Sequence, residues 1–188
     1  MRNMEQTFKA SWARCINSSE KLSFYTTIKS DFGWENYLDH ASNFNIRRST
    51  AQLRCSSHKL RIETGRHSKI NRADRLCVYC FSELSSSQVD DENHLLSSCP
   101  IGDKERQIFD RNFTDITGSP RDPNFNLAKA SVERSFNNSP FTPSDLDIQL
   151  IKTSTKSLHV IYQRKLKYME LHKKKKKIKD MTKLVESA

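Results

Sequence analysis

The chain has 188 residues, which is enough for one domain or for one small domain with tails. Hydrophobic residues make up 35% of it, and with its four glycines the apolar share is about 37%, against roughly 45–50% in an ordinary globular chain. Such a chain buries only a modest core, which excludes a polymerase, a kinase or a doubly wound enzyme fold. No apolar run is long enough to span a membrane, and the first residues lack the apolar stretch of a secretory signal. We therefore expect a soluble, intracellular chain without a membrane partner.

The net charge of +10 is concentrated in two basic blocks. Residues 46–80 hold nine Lys or Arg against two acidic residues, and residues 164–183 hold ten against two, while the rest of the chain is net acidic. Because polyanions are the natural partners of dense basic blocks, this pattern favours RNA or DNA as the partner. The alternative is that the basic runs are solvated faces or disordered tails.

The first part of the chain predicts short helices followed by a basic, irregular segment. Residues 1–30 show weak helical periodicity, and Asn45 could cap a helix over residues 46–56. Residues 58–76 lack a clear period and are rich in Arg and Lys, and Gly65 permits a turn there. We therefore expect residues 58–76 to form a basic loop.

The middle of the chain holds four residues with the spacing of a zinc site, namely Cys77, Cys80, His94 and Cys99. The Cys-x2-Cys pair forms a tight turn that directs two sulfurs at one ion, and the His-x4-Cys pair supplies two more ligands. An odd number of cysteines without a signal peptide argues against a disulfide framework. Four protein ligands fill the tetrahedral shell of zinc, so we expect a structural site. His58 or His67 could replace the third ligand if His94 points away.

A pair of aspartates, Asp90 and Asp91, resembles the metal-binding aspartates of polymerase active sites. Such aspartates need a hydrophobic hairpin and a third carboxylate, whereas this pair lies in a serine-rich acidic stretch. We therefore expect a solvated acidic loop. The sequence holds no glycine-rich phosphate loop and no Ser-His-Asp set, so we expect no enzymatic activity and no small-molecule substrate.

The last part of the chain predicts two helices separated by loops. Residues 104–113 have the pattern of a short helix, and the prolines after it indicate a loop region up to residue 143. A capping hydroxyl, a proline and an acid at residues 142–145 then begin a long helix, which we expect to end near His172. The five lysines at 173–177 should fray its end by mutual repulsion.

Together these elements predict a mostly α-helical fold, in which a small helical domain is stapled by a Cys-Cys-His-Cys zinc knuckle and followed by a long C-terminal helix and a basic tail. The predicted segments are a helical lead-in (1–45), a basic segment plus zinc-binding domain (46–113), a loop region (114–143), a long helix (144–172) and the basic tail (173–188).

Several short motifs follow one another between residues 53 and 100. They are Leu53-Arg54, His58-Lys-Leu60, Ile62-Glu63, Gly65-Arg66, Arg75-x-Cys77-x2-Cys80 and Glu92-x-His94-Leu-Leu-x-x-Cys99-Pro100. In this order they resemble the zinc-binding region near the C-terminus of non-LTR (LINE-type) retrotransposon reverse transcriptases. The resemblance covers roughly residues 20–112 of this chain.

In that family the region follows the polymerase thumb, and the resemblance implies a role in binding template RNA or target DNA. It also implies that Cys77, Cys80, His94 and Cys99 are the zinc ligands. The catalytic palm would lie upstream, so polymerase activity is not implied. We expect a free-standing tail piece, derived from a truncated element, a domesticated exon or a gene-model fragment.

The expected function is that of a zinc-stabilised nucleic-acid-binding module. Arginines and lysines before the first cysteine would contact phosphates, and an aromatic ring between the first two cysteines would either stack on an unpaired base or pack on the metal turn. These candidate contact residues are Arg61, Arg66, Lys69, Arg72, Arg75 and Tyr79. Some of the arginines could instead pair with Glu63, Asp74 or the acidic loop.

Two alternative functions remain open from the sequence. One is a structural zinc domain for protein–protein contacts, and the other is an element relic without a selected function. The lysines at 173–177 match the basic-cluster pattern of nuclear import signals, or they form a disordered solubilising tail. The expected location is therefore intracellular, and nuclear if the lysine run acts as an import signal.

Overall fold

The structure, a computed structural model, describes residues 2–29, 32–122, 127–128 and 143–186. Eight α-helices account for most of these residues, and no strand is found among them beyond one isolated antiparallel bridge between Leu76 and Val89. The helices are α1 (Arg2–Asn17), α2 (Ser23–Ile28), α3 (Tyr37–His40), α4 (Phe44–Arg54), α5 (Arg61–His67), α6 (Val78–Leu84), α7 (Asp103–Thr117) and α8 (Asp145–Glu186). The prediction of a mostly α-helical fold with a long C-terminal helix is confirmed.

The 42-residue helix α8 is the element against which the others assemble. It contacts α3, α4, α6 and α7, as well as the short turns that follow His94. Its first half carries the buried residues Ile151, Leu158, Ile161 and Tyr162, which recur at helical spacing and so share one face. None of the described helices is both long and apolar enough to cross a membrane.

The core joins residues from five of the eight described helices into one cluster. Its members come from α2, α4, α5, α7, α8 and the turns around the cysteines, and they include Phe24, Ile28, Leu53, Leu60, Leu95, Leu96, Phe109, Leu158 and Ile161. Each fully buried Leu, Ile or Phe contributes about 1.5–3 kcal/mol by leaving water. A second, smaller cluster consists of Cys77, Cys80 and Cys99, with Tyr79 and Ile101 packed against it.

Helix α4 begins two residues earlier than predicted. Its cap is Asn43, whose side chain accepts a hydrogen bond of 3.1 Å from the N–H of Ile46, so the prediction that Asn45 is the cap is wrong. Both asparagines have a suitable side chain, but Asn43 has the extended backbone of a cap residue, whereas Asn45 already lies in the first turn of α4.

The segment predicted as a basic loop contains helix α5, so that prediction is wrong over residues 61–67. Gly65 lies inside α5 rather than in a turn. A Cβ atom at this position would stand 2.7 Å from the Cγ atom of Arg75, so glycine is required by close packing. Arg75 in turn donates hydrogen bonds to the carbonyl oxygens of Ile62 (2.8 Å) and Ile70 (2.9 Å), which links the first turn of α5 to the segment after the helix.

Helices α7 and α8 are both longer than the sequence indicates. Helix α7 runs to Thr117 and ends at Gly118, whose φ of +72° favours glycine. Ser144 and Asp147 cap α8 reciprocally, each side chain accepting from the other's backbone N–H at 3.2 and 3.1 Å. Thr142 and most of the predicted loop region lie outside the described residues.

The predicted end of α8 near His172 is wrong, because the helix continues through the five lysines to Glu186. All five lysine side chains are exposed. In water two unit charges 4 Å apart repel by about 1 kcal/mol, and salt screens this further. Lysine also ranks among the better helix formers, so the repulsion does not end the helix.

Candidate metal centre

Four buried side chains, those of Cys77, Cys80, His94 and Cys99, bring their ligand atoms within 4.8 Å of one another. The Sγ atom of Cys99 lies 3.8 Å from that of Cys77 and 3.9 Å from that of Cys80, and the Sγ of Cys80 lies 3.3 Å from Nε2 of His94. With metal–sulfur bonds of about 2.3 Å, two sulfurs of a tetrahedral zinc site stand about 3.8 Å apart. The cluster therefore has the size and donor atoms of a metal site.

Short local turns aim the first two cysteines at the same point. Cys77 is the residue before α6, and its sulfur accepts a hydrogen bond of 3.5 Å from the N–H of Cys80 in the first turn of that helix. The chain then returns along the bridge between Leu76 and Val89, where the N–H of Cys77 bonds to the carbonyl of Gln88 at 2.7 Å. The return places the second ligand pair beside the first.

A wide helical turn over His94–Ser98 positions the other two ligands. Asp91 begins the turn by accepting a hydrogen bond of 2.8 Å from the N–H of His94. The Nδ1 atom of His94 is hydrogen-bonded to Ser98 Oγ at 3.0 Å, which leaves Nε2 directed at the sulfurs. The N–H of Cys99 bonds to the carbonyl of His94 at 2.7 Å and closes the turn.

The histidines considered as replacement ligands lie elsewhere. His58 is buried, but its Nε2 is hydrogen-bonded at 2.8 Å to Glu92, and Ser56 bonds to the same carboxylate oxygen. His67 is exposed at the end of α5. Neither belongs to the metal cluster found among the described residues, so His94 is the third ligand candidate.

A buried lysine from the distant helix α8 reaches the metal cluster. The Nζ atom of Lys165 lies 2.9 Å from the Sγ of Cys77 and 2.6 Å from Oδ1 of Asp90, and all three side chains are fully buried. The other oxygen of Asp90 accepts a hydrogen bond of 2.9 Å from the N–H of Arg61 at the start of α5. Burial raises the pKa of Asp90, and the charge of Lys165 opposes that rise.

The prediction that Asp90 belongs to a solvated acidic loop is therefore wrong. Asp90 links α5, α8 and the metal cluster, while Asp91 caps the turn before Cys99. Sequence reasoning also missed Lys165. The available signal was its spacing, because Lys165 follows Leu158 and Ile161 at seven and four residues and so lies on the apolar face of the helix.

Helix α7 supplies a second buried cation. Arg106 donates hydrogen bonds to the carbonyl oxygens of Cys99 (2.6 Å) and Leu95 (3.2 Å), and it also pairs with Asp103. It thereby holds the backbone inside the wide turn, at Leu95, and directly after it, at Cys99. This contact was not predicted, since it depends on how α7 folds back after Pro100.

The surroundings favour ionisation of one sulfur in particular. The hydrogen bond with Cys99 lowers the pKa of Cys77 far below its usual range, with help from His94 and Lys165 and in spite of burial. Burial raises the pKa of Cys80 to about 11. The Lys165 ammonium group at 2.9 Å also favours the thiolate form of Cys77, and a cation entering the cluster would favour the thiolate form of all three cysteines.

The residues predicted to contact nucleic acid differ in their partners and in their exposure. Arg66 pairs with Glu63 at 3.0 Å, and Arg72 pairs with Asp91 at 3.7 Å. Arg75 is half-buried against α5, as described above. Arg66 and Arg72 thus make the internal ion pairs that the sequence left open as an alternative, whereas Arg75 contacts backbone carbonyls.

The other three predicted contact residues differ in exposure. Tyr79 is half-buried beside the cysteines and makes an edge-to-face contact with Tyr168, at 5.0 Å between ring centroids. Lys69 is exposed, and Arg61 is half-buried along a groove beside α8. Arg61 and Lys69 form no ion pair within the described part of the chain.

Comparison of the chain with protein-family models, with curated proteins and with solved structures finds no match.

Proposed function

We propose that this chain is a zinc-stabilised nucleic-acid-binding module. The observation that carries the zinc assignment is the buried set of three sulfurs and one imidazole nitrogen at tetrahedral spacing. Thiolates and imidazole are the donors that zinc prefers, and four of them leave no position for a catalytic water. The ion would therefore have a structural role, and we propose no enzymatic activity.

The proposal that the chain binds nucleic acid rests on the amount and distribution of its positive charge. The chain has a net charge of +10, and its two basic blocks flank the metal site in the sequence. The central block is held in place by α4 on one side and by the metal turns on the other. Fixed cations lose less entropy on binding than cations on a floppy chain, so this block suits phosphate recognition.

The resemblance to the zinc-binding region of retrotransposon reverse transcriptases agrees with this proposal. That region follows a polymerase thumb in its family, and we propose that this chain performs its binding role without polymerase chemistry. We further propose that the lysines at 173–177 direct nuclear entry.

A second candidate function is a zinc-stabilised protein-interaction domain. Trp34 and Phe44 support it, because they are 66% and 67% exposed near α3 and the start of α4. Exposed aromatic side chains are common at protein interfaces. Such a domain would not need to bind nucleic acid.

A salt titration of the full, zinc-loaded chain separates the two candidates. Fluorescence anisotropy would follow labelled single-stranded RNA, single-stranded DNA and duplex DNA between about 50 and 200 mM salt, and a binder should lose affinity with a log–log slope of about −0.7 per phosphate contact on single strands. A full-length variant with the five lysines 173–177 changed to Gln tests the tail and should keep measurable binding. Absence of binding by the wild-type chain at the lowest salt would contradict the proposal.

A further inference from the structure

A groove lies along one face of α8, between that helix and α4, α5 and α6. It consists of two adjoining cavities of about 630 Å³ and 460 Å³, and both are lined by Lys59 and Leu166. The α8 residues along it include His159, Tyr162, Gln163, Leu166, Met169, Lys173 and Lys176, which lie on one face of the helix. At 1.5 Å per residue the lined face is about 25 Å long.

The floor of this groove is apolar in its larger cavity. It is formed by side chains from the metal turn, from the segment after α5 and from α8, namely Ile70, Leu76, Val78, Phe81, Leu166 and Met169. Phe81 is 57% exposed although it lies in α6, directly after the metal ligand Cys80. An exposed ring held beside the metal site by a short helix is a preformed surface for stacking.

The rim of the groove is basic and draws on both basic blocks. Its cations are Arg48, Lys59 and Arg61 from the central block and Lys173 and Lys176 from the terminal block. None of these five forms an ion pair among the residues that the structure describes. Two acidic residues, Asp74 and Glu170, also line it, so the rim keeps an excess of positive charge.

Cations of the two basic blocks line the same groove because α8 continues past His172. Lys173 and Lys176 lie in the part of α8 that the sequence predicted to be a frayed tail, and the continued helix brings them to the cavity that Arg61 also lines. Arg66 and Arg72, by contrast, do not line either cavity and are paired with Glu63 and Asp91.

We propose that this groove is the site that binds single-stranded nucleic acid. This inference rests on the proposed function. It adds the surface that binds the ligand and the strandedness of the ligand. Phosphates would lie along the basic rim, and unpaired bases would contact Phe81 and the apolar floor. A stacked strand rises about 3.4 Å per nucleotide, so the groove covers about seven nucleotides. A duplex keeps its bases stacked inside and would leave Phe81 and the apolar floor without a partner.

Reversing the charge of two rim lysines tests whether the groove is the binding site. The double variant Lys59→Glu/Lys173→Glu of the full chain should bind labelled polyuridine or polythymidine at least about tenfold more weakly than the wild type, because two phosphate contacts become repulsive. The matched control is Lys104→Glu/Arg111→Glu, which makes the same change of charge on exposed positions of α7 outside the groove. We expect the control to lose less than about threefold, and an equal loss in both variants would overturn the proposal.

Substitution of the exposed Phe81 ring tests whether the ligand is single-stranded rather than duplex nucleic acid. Phe81→Ala should weaken single-strand binding at least about fivefold and leave duplex binding unchanged. The control is Leu84→Ala, an exposed apolar residue of the same helix that does not line the groove. Unchanged single-strand affinity in Phe81→Ala, or tighter binding of duplex than of single strands, would overturn the proposal while nucleic-acid binding itself stands.

Two further outcomes are distinguishable. Competition by polyglutamate as effective as that by polyuridine would overturn the assignment of nucleic acid as the occupant. If the wild-type chain binds no nucleic acid at all, the proposed function fails together with this inference. Zinc content and circular dichroism of each variant establish that a loss of binding does not come from unfolding.

Discussion

Lys165 is a fully buried cation with two partners, the sulfur of Cys77 and the carboxylate of Asp90. Removing a charge of either sign from such a cluster leaves its partner unpaired in a medium of low polarity. The same carboxylate holds the first N–H group of α5. One side chain of α8 therefore fixes the position of both the metal turn and a neighbouring helix.

The variant Lys165→Met should lower the free energy of unfolding by roughly 3–5 kcal/mol, because methionine fills the space but leaves Asp90 buried without a counter-charge. Urea denaturation of the zinc-loaded chain measures this. The control Lys167→Met replaces an exposed lysine of the same helix and should change the free energy by no more than about 0.5 kcal/mol.

A double variant distinguishes the charge from simple packing. Lys165→Met/Asp90→Asn keeps an oxygen that can accept the N–H of Arg61 but buries no unpaired carboxylate. It should therefore be more stable than Lys165→Met alone. The single variant Asp90→Asn completes the comparison. If Asp90→Asn lowers the free energy of unfolding by the same amount in the wild type and in Lys165→Met, the two charges are not coupled.

Site residues that belong to a local sequence motif were predictable, whereas site residues that reach the cluster from a distant helix were not. The four metal-ligand candidates follow from two local motifs, and their clustering is confirmed. Lys165 and Arg106 reach the same place from α8 and α7, and their role depends on how those helices pack. A charged residue at a position of the apolar stripe is the only sign that the sequence offers of such a contact.

At the level of helices, the sequence predicts that a helix forms more reliably than it predicts where that helix begins and ends. The apolar spacing of Leu158 and Ile161 is enough to predict α8, but its end depends on a balance between lysine repulsion and helix propensity. Helix α5 has no apolar stripe of its own. It forms because Asp90 accepts the N–H of Arg61 and because Gly65 lets Arg75 pack closely, and both contacts involve residues outside the helix.

The continued helix beyond His172 can be tested with Lys175→Pro. Proline removes one backbone hydrogen bond and clashes with the preceding turn, so the Cα chemical shifts of the residues around the lysine run should move from helical towards random-coil values. Binding of single-stranded nucleic acid should weaken as well, because Lys173 and Lys176 then leave the groove rim. Lys175→Ala removes the same charge and should keep the helical shifts, and equal shifts in both variants would contradict a helix in this segment.

For the molecule as a whole, the candidate metal site links several helices rather than forming a separate knuckle. The ligand turns contact α7 through Arg106 and α8 through Lys165, and the main core includes Leu95 and Leu96 from the wide turn between the ligands. A structural zinc ion contributes about 10–16 kcal/mol in small zinc domains, whereas whole domains are stable by only about 5–15 kcal/mol. Loss of the ion should therefore unfold far more than the turns that hold it.

The most direct test is native mass spectrometry of the full chain and of two variants, with circular dichroism of the same samples. We predict one zinc ion per wild-type chain, and loss of both zinc and most helical signal in Cys80→Ser. The control Cys55→Ser, at an exposed cysteine outside the cluster, should keep both. A wild-type chain that is fully helical without bound zinc, or a Cys80→Ser variant that keeps one zinc ion per chain and its full helical signal, would contradict this account.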